Sequence, residues 1–330
     1  MLRLPRFRFF EPRSVDEALR IQEEAGREAM FVAGGTDLYP NMKRRQQTPT
    51  TVISLARLRE LGEVVGTARD GVTIGACVTL SNLARHTTVA AHYTAVAHAA
   101  ELVSTPLLRN MGTIGGNLLL DTRCNYYNQT YEWRRAIDFC TKRDGAICWV
   151  APSSPRCWAV QSSDGVPVAV ALGAEATLVS VRGTRRIPAA NLYRDDGIAY
   201  LAKAPDELLV SYHLPPAVGW RASYRKLRRR DAFDFPVLGV AARVDLAGDG
   251  TVRDARIVLG AIASYPLEVP EAVAAIRGTR LEPESIRAAA EAAYQPAKPM
   301  DNTDLPLAWR KEMVRVYVRR ALQDLVGPAV

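Results

Sequence analysis

The chain has 330 residues, 48% of them hydrophobic and 24% charged, with a formal net charge of +8. That length exceeds a single hydrophobic core and predicts two or three domains, while the ordinary composition excludes a disordered or collagen-like chain. Arginines interrupt the opening MLRLPRFRFF, so it fits no signal peptide, and no run of 18 apolar residues marks a membrane span. A soluble cytoplasmic protein is expected.

Residues 1–56 read as a small α/β unit. Ser14-Val15-Asp16-Glu17 is a capping box, and Ala18, Leu19, Ile21 and Ala25 follow at helical spacing up to Gly26. The strand Ala29–Ala33 then runs into the turn Gly34-Gly35-Thr36-Asp37, and Thr51–Leu55 is a second short strand. A strand entering Gly-Gly-Thr suits backbone contact with a pyrophosphate, although a plain strand–helix turn explains the same residues.

Residues 57–220 form a larger unit. Gly71–Ala76 is a strand, Thr79–Leu83 opens a helix, and Tyr93–Val103 is helical until Pro106 ends the pattern. His86, His92 and His98 share no i, i+4 face, so they read as surface or packing residues, and Cys77 reads as core. Thr113-Ile114-Gly115-Gly116-Asn117 is a second glycine turn whose amides can approach an anion. Pro167–Val181 alternates as strands do, and Glu207–Tyr212 is a further strand closed by Pro215-Pro216.

Between the glycine turn and Ser163-Asp164 lie four of the five cysteines: Cys124, Cys140, Cys148 and Cys157. They stand among Arg, Lys, Asp, Asn and Gln, which is loop rather than core composition. Buried thiols, disulfides, structural zinc and an iron–sulfur cluster all remain open on spacing alone. No Cys-x-x-Cys pair marks zinc, and no usual cluster spacing is present.

Residues 221–330 show strands at Ala222–Leu227, Val237–Leu246 and Ala255–Ala263, the last two joined by a Gly248-Asp249-Gly250 turn. Helices follow at Pro270–Gly278, Glu284–Tyr294 and Leu307–Leu325, which makes an α+β domain with helices on one sheet face. The basic run Arg225–Arg230 comes with no nucleic-acid module. The chain has no Gly-x-Gly-x-x-Gly, Walker A, His-Glu-x-x-His or nucleophile-elbow motif.

The two glycine motifs, Phe31–Leu38 and Thr113–Asn117, resemble together the FAD-binding medium subunits of the molybdenum hydroxylase (xanthine dehydrogenase) family. The resemblance covers essentially the whole chain. It implies an α+β fold, with a two-part FAD-binding region (1–56 and 57–220) followed by a sheet-plus-helices domain (221–330). It implies FAD held by Val32, Ala33, Gly34, Gly35, Thr36, Asp37 and Leu38, by Thr113, Gly116 and Asn117, and by Asp164 and Lys226. No catalytic residue is expected in this chain.

Most members pass quickly from the second motif to the Ser-Asp segment, whereas this chain inserts roughly forty residues, a loop long enough to need a functional reason. With Asp121-Thr122-Arg123-Cys124 and Tyr127-Asn128-Gln129, the insertion resembles that of the β subunits of 4-hydroxybenzoyl-CoA reductases. That resemblance implies a [4Fe–4S] cluster at 122–160 on Cys124, Cys140, Cys148 and Cys157. It also implies a large molybdopterin subunit and a small [2Fe–2S] subunit, in a dimer of heterotrimers that reduces 4-hydroxybenzoyl-CoA to benzoyl-CoA. A ferredoxin would be the donor; the net charge and Arg123, Arg134, Arg135, Lys142 and Arg143 around the loop suggest its docking patch, although a merely solvated loop explains the same residues. A zinc-stapled flavoprotein, or a molybdenum hydroxylase acting on another aromatic compound, is the alternative.

Overall fold

The computed structural model describes residues 2–326. The chain begins with three short parallel strands, β1 (Arg8–Phe10), β2 (Ala29–Val32) and β3 (Thr51–Ser54), in the order β1-β3-β2. Helix α1 (Val15–Ala25) crosses between the first two. Ser14 Oγ accepts the Glu17 N–H at 3.1 Å, and the helix ends at Gly26 with φ 65°. Its Ala18 and Leu19 pack on Ile53, Leu55 and Leu58. Helix α2 (Leu38–Lys43) follows the glycine turn after β2.

A five-stranded antiparallel sheet comes next: β4 (Val64–Thr67), β5 (Gly71–Gly75), β6 (Glu175–Ser180), β7 (Gly183–Pro188) and β8 (Leu208–Leu214), in the order β4-β5-β8-β6-β7. Between β5 and β6 run α3 (Leu80–Arg85), α4 (Thr87–His92), α5 (Thr94–Leu102), α6 (Pro106–Arg109), α7 (Ile114–Leu118), α8 (Tyr131–Ala136) and α9 (Gly165–Leu172). The break after α5 comes from Ser104, whose φ is 49°. Pro106 starts α6 instead of ending α5, with Thr105 as its cap.

The strand expected to begin at Pro167 is a helix up to Leu172, and only Glu175–Ser180 alternates in and out. Every residue from Val166 to Leu172 is buried, so the run carries no period that distinguishes helix from strand. Its ends decide the matter. Ser163 Oγ and Asn117 Oδ1 accept the N–H groups of Val166 and Gly165, and Gly173 closes the helix at φ 72°.

The last sheet is antiparallel, β12-β11-β10-β9, built from β9 (Trp220–Leu227), β10 (Leu238–Leu246), β11 (Val252–Gly260) and β12 (Leu267–Glu268). Helices α10 (Pro270–Ile276), α11 (Pro283–Tyr294) and α12 (Leu307–Gln323) share its core, as the sequence implied. Helices α5 and α9 also pack against this sheet, so the all-apolar α9 has protein on every side. The fully buried Arg310 on α12 donates to Val237 O, Met300 O and Ala261 O at 3.2, 2.8 and 2.8 Å. The segment it anchors carries Asn302, which bonds the cysteine insertion through Asn125 N and Trp158 O. No helix among the described residues is long and apolar enough to cross a membrane.

Candidate functional site

The turn after β2 and the turn before α7 face one another across a cavity of about 380 Å³. Val32 to Leu38 line one side, and Thr113, Gly116 and Asn117 the other. The two turns touch: a Cβ on Gly34 would lie 1.8 Å from Met111 O. Gly35 sits at φ 69° and a Cβ there would strike the Tyr39 ring at 2.4 Å, so this turn requires glycine twice. The amides of Gly34, Gly35, Thr36 and Asp37 donate to no protein acceptor among the described residues. Four free N–H groups on a glycine turn suit a diphosphate.

The second turn works differently from the expectation. Four of its amides are already used: Ile114 donates to Val78 O, Gly115 to Ala76 O, Gly116 to Thr113 Oγ1 and Asn117 to Thr113 O. Asn117 Oδ1 also serves the fold, accepting from Ser163 Oγ at 2.7 Å and Gly165 N at 3.0 Å. What this turn offers a ligand is the bare surface of Gly116, where a Cβ would meet only Thr113 Oγ1, at 3.3 Å.

Asp164 and Lys226, expected beside the cofactor, are not among the residues lining the cavity. Lys226 Nζ lies 2.9 Å from Asp164 Oδ2 and donates to Leu102 O at 2.9 Å, while Tyr224 OH donates to Asp164 Oδ1 at 2.8 Å. Both side chains are withdrawn from solvent, so the pair clamps β9 to the ends of α5 and α9. Burial pushes the Asp164 carboxyl up and the Lys226 ammonium down, each against the attraction of the other.

The four insertion cysteines are all buried, and Cys124, Cys140 and Cys157 share a small core with Tyr127 and Ala159. Arg123 and Val160 exchange backbone hydrogen bonds of 2.8 and 2.7 Å that close the base of the loop. Burial raises Cys124 to about 12 and Cys157 to about 11, and nearby cysteines add to both shifts. Among the described residues, no group of three or more His, Cys, Asp or Glu converges as ligands of one ion. Cys77 stands apart, partly buried against the first core; it also borders the cavity, a position its reading as core did not include.

Three of the five cations expected to dock a partner are turned inward. Arg134 is 1% exposed and donates to Arg44 O and Arg45 O at 3.0 and 3.1 Å. Arg123 pairs with Asp37 of the glycine turn and stacks on Phe235 at 4.4 Å. Lys142 is engaged with Asp121 at 2.8 Å. Only Arg135 is fully exposed and Arg143 half-buried. The sequence reading gave no cavity role to Asp121, Tyr200, Lys203 and Phe235, which line the cavity from outside the two glycine motifs.

The ion pair behind the cavity gives a direct test. Replacing Lys226 by Met leaves Asp164 buried without its cation, at an expected cost of about 3–5 kcal/mol at neutral pH, read by urea unfolding. Asp164 then folds with its pKa raised above the unfolded value of about 3.9, so the variant loses stability as pH rises from 4 toward neutrality. A variant as stable as wild type at pH 7 would remove the clamp.

Comparison with known proteins agrees with this architecture. The family described as FAD binding domain in molybdopterin dehydrogenase matches residues 5–217, and CO dehydrogenase flavoprotein C-terminal domain matches residues 222–325. The aldehyde oxidoreductase FAD-binding subunit PaoB of Escherichia coli is 34% identical over 78% of this chain and 81% of its own length. The carbon monoxide dehydrogenase medium chain of Afipia carboxidovorans is 28% identical over 96% of both. Carbon monoxide dehydrogenase from Hydrogenophaga pseudoflava superimposes with a TM-score of 0.80, at 27% identity over 98% of both chains. With the two family models matching residues 5–217 and 222–325 in this order, the chain belongs to the FAD-binding medium subunits of the molybdenum hydroxylase family.

Proposed function

We propose that this chain is an electron-transfer subunit that holds FAD in the glycine-lined cavity and one [4Fe–4S] cluster on Cys124, Cys140, Cys148 and Cys157. FAD exchanges one or two electrons and a cluster exchanges one, so a chain holding both suits a junction between one-electron carriers and a two-electron substrate site. The observation that carries the cluster is the burial of all four thiols of one polar insertion, with Cys124, Cys140 and Cys157 packed in one small core. Zinc at 2.3 Å from each sulfur would hold four thiolates about 4 Å apart. A cubane takes four thiolates as well, with iron and sulfide between them, so metal and sulfide analysis separates the two.

On the flavin side, the free amides from Gly34 to Asp37 would bind the diphosphate, and bare Gly116 would let the ligand lie against α7. Arg123 joins the two sites, since it precedes Cys124 and pairs with Asp37. The partners in this reading are a large molybdopterin subunit and a small [2Fe–2S] subunit, together in a dimer of heterotrimers.

Two substrate readings have support. The insertion favours a ferredoxin donor and reductive removal of the hydroxyl of 4-hydroxybenzoyl-CoA, which takes in two electrons and two protons and releases water. The 34% identity to an aldehyde oxidoreductase subunit favours the opposite direction, in which aldehyde and water yield a carboxylic acid, two electrons and two protons. Assaying the co-purified complex with 4-hydroxybenzoyl-CoA plus reduced ferredoxin, and with benzaldehyde plus an electron acceptor, separates them. An acidic carrier would dock at the groove where Arg3, Lys43, Arg45 and Arg143 outnumber Glu132 and Asp144, at the edge of the cysteine loop. Its association rate should then fall as salt rises, and a rate indifferent to salt would argue against that groove.

Replacing Cys148 by Ser should remove most of the iron and acid-labile sulfide while FAD stays, and replacing Cys77 by Ser should change neither. One zinc per chain and no sulfide in anaerobically purified protein would reject the cluster. Replacing Gly116 by Val should give folded protein without flavin absorbance. The same change at Gly115, where a Cβ would lie 2.6 Å from Ala76 O, should instead cost the fold. Full FAD retention by the Gly116→Val protein would defeat the cavity assignment.

A further inference from the structure

The cavity and the cysteine insertion share a wall, and one buried cation stands in it. Asp121 lines the cavity, and Lys142 reaches its Oδ1 from the insertion at 2.8 Å. The same ammonium donates to Thr122 Oγ1 and to Gly197 O, each at 2.6 Å, and its side chain is 6% exposed. The rings of Tyr127 and Tyr200 flank it at 4.8 and 5.5 Å. All three N–H groups are therefore committed, and the charge is fixed in place.

Cys157 lies on the far side of this arrangement. Gly197 N donates to Cys157 O at 2.9 Å, and a Cβ on Gly197 would come 2.6 Å from Cys157 Sγ. The carbonyl that accepts from Lys142 thus belongs to a residue packed directly on that thiol. On the cavity side, Tyr127 OH and Gln47 Nε2 hold the other oxygen of Asp121, at 3.2 and 3.4 Å.

We propose that Lys142 is a positioning residue that sets the reduction potential of the group bound by the four cysteines, and that Asp121 opposes it from the cavity side. This rests on the cluster reading above. Reduction by one electron adds one negative charge to a thiolate-ligated group and breaks no bond. A fixed cation nearby stabilises that added charge, and a fixed anion destabilises it. An exposed lysine would be screened by solvent and salt, but this one is enclosed between two aromatic rings. Its ion pair with Asp121 is a fixed dipole, with the anion on the cavity lining and the cation toward the residue packed on Cys157.

The test is a potentiometric titration with dithionite, followed by visible and electron paramagnetic resonance spectra, on the purified complex with iron counted per chain. Replacing Lys142 by Met should make reduction about tenfold less favourable, a fall of about 59 mV for a one-electron couple. Replacing Asp121 by Asn should raise the potential, and Lys142→Arg should stay near wild type. A merely structural role would not move two variants in opposite directions. Iron-complete Lys142→Met and Asp121→Asn proteins that both titrate like wild type, or that shift the same way, would overturn the proposal. If Lys142→Met fails to fold, Asp121→Asn decides alone, with an upward shift in favour and no shift against. Wild-type protein without iron would overturn the cluster reading, and this inference with it, whereas iron with unmoved potentials would overturn this inference only.

Discussion

Inward-turned cations hold the cysteine insertion in place. Ordering a loop of this length costs roughly 1–2 kcal/mol of backbone entropy per residue, and several of its large apolar residues, Tyr131, Trp133, Ile147 and Trp149, stay exposed and do not offset that by burial. The loop instead spends Arg123, Arg134 and Lys142 on fixed acceptors: Asp37, the carbonyls of Arg44 and Arg45, and Asp121 with Gly197. Charge-assisted hydrogen bonds of this kind are the stronger sort, and each one ties the loop to a different part of the molecule. Positive residues that look like a solvated surface in the sequence are its fastenings.

The same economy appears between the domains. Helix α9 contributes apolar surface in every direction, and Asp164 at its start meets Lys226 from the last sheet inside that contact. A buried ion pair adds little net stability over an apolar pair, but it penalises any arrangement that separates its members. It therefore specifies how the last sheet sits against the second unit more than it strengthens the contact. The cavity lies beside this junction and takes its walls from several segments.

What could be read in the sequence follows from this construction. Alternation and caps were visible where an element has one wet face, as in α1 and β6, and the glycine turns were visible because backbone contact leaves few other residues possible. The type of α9 was not legible, since a run buried on all sides has no period. Nor was the difference between the two glycine turns, because whether an amide is free depends on carbonyls of Ala76 and Val78, which only the fold brings near. Lys226 was placed correctly on a strand, but its burial against Asp164 was not legible. Its partner is a carboxylate sixty-two positions away, which no local pattern reveals.

Gly34 illustrates a limit on what tolerance to substitution can reveal about this protein. Its Cα stands against the Met111 carbonyl with no clearance, so any larger residue there pries apart two backbones before a ligand is involved. A library selected for function would lose every variant at Gly34, and the loss would look like the signature of a binding residue. It would in fact report a seam. Gly116, which borders the same cavity with space beside it, is the glycine whose intolerance would carry information about what the cavity holds.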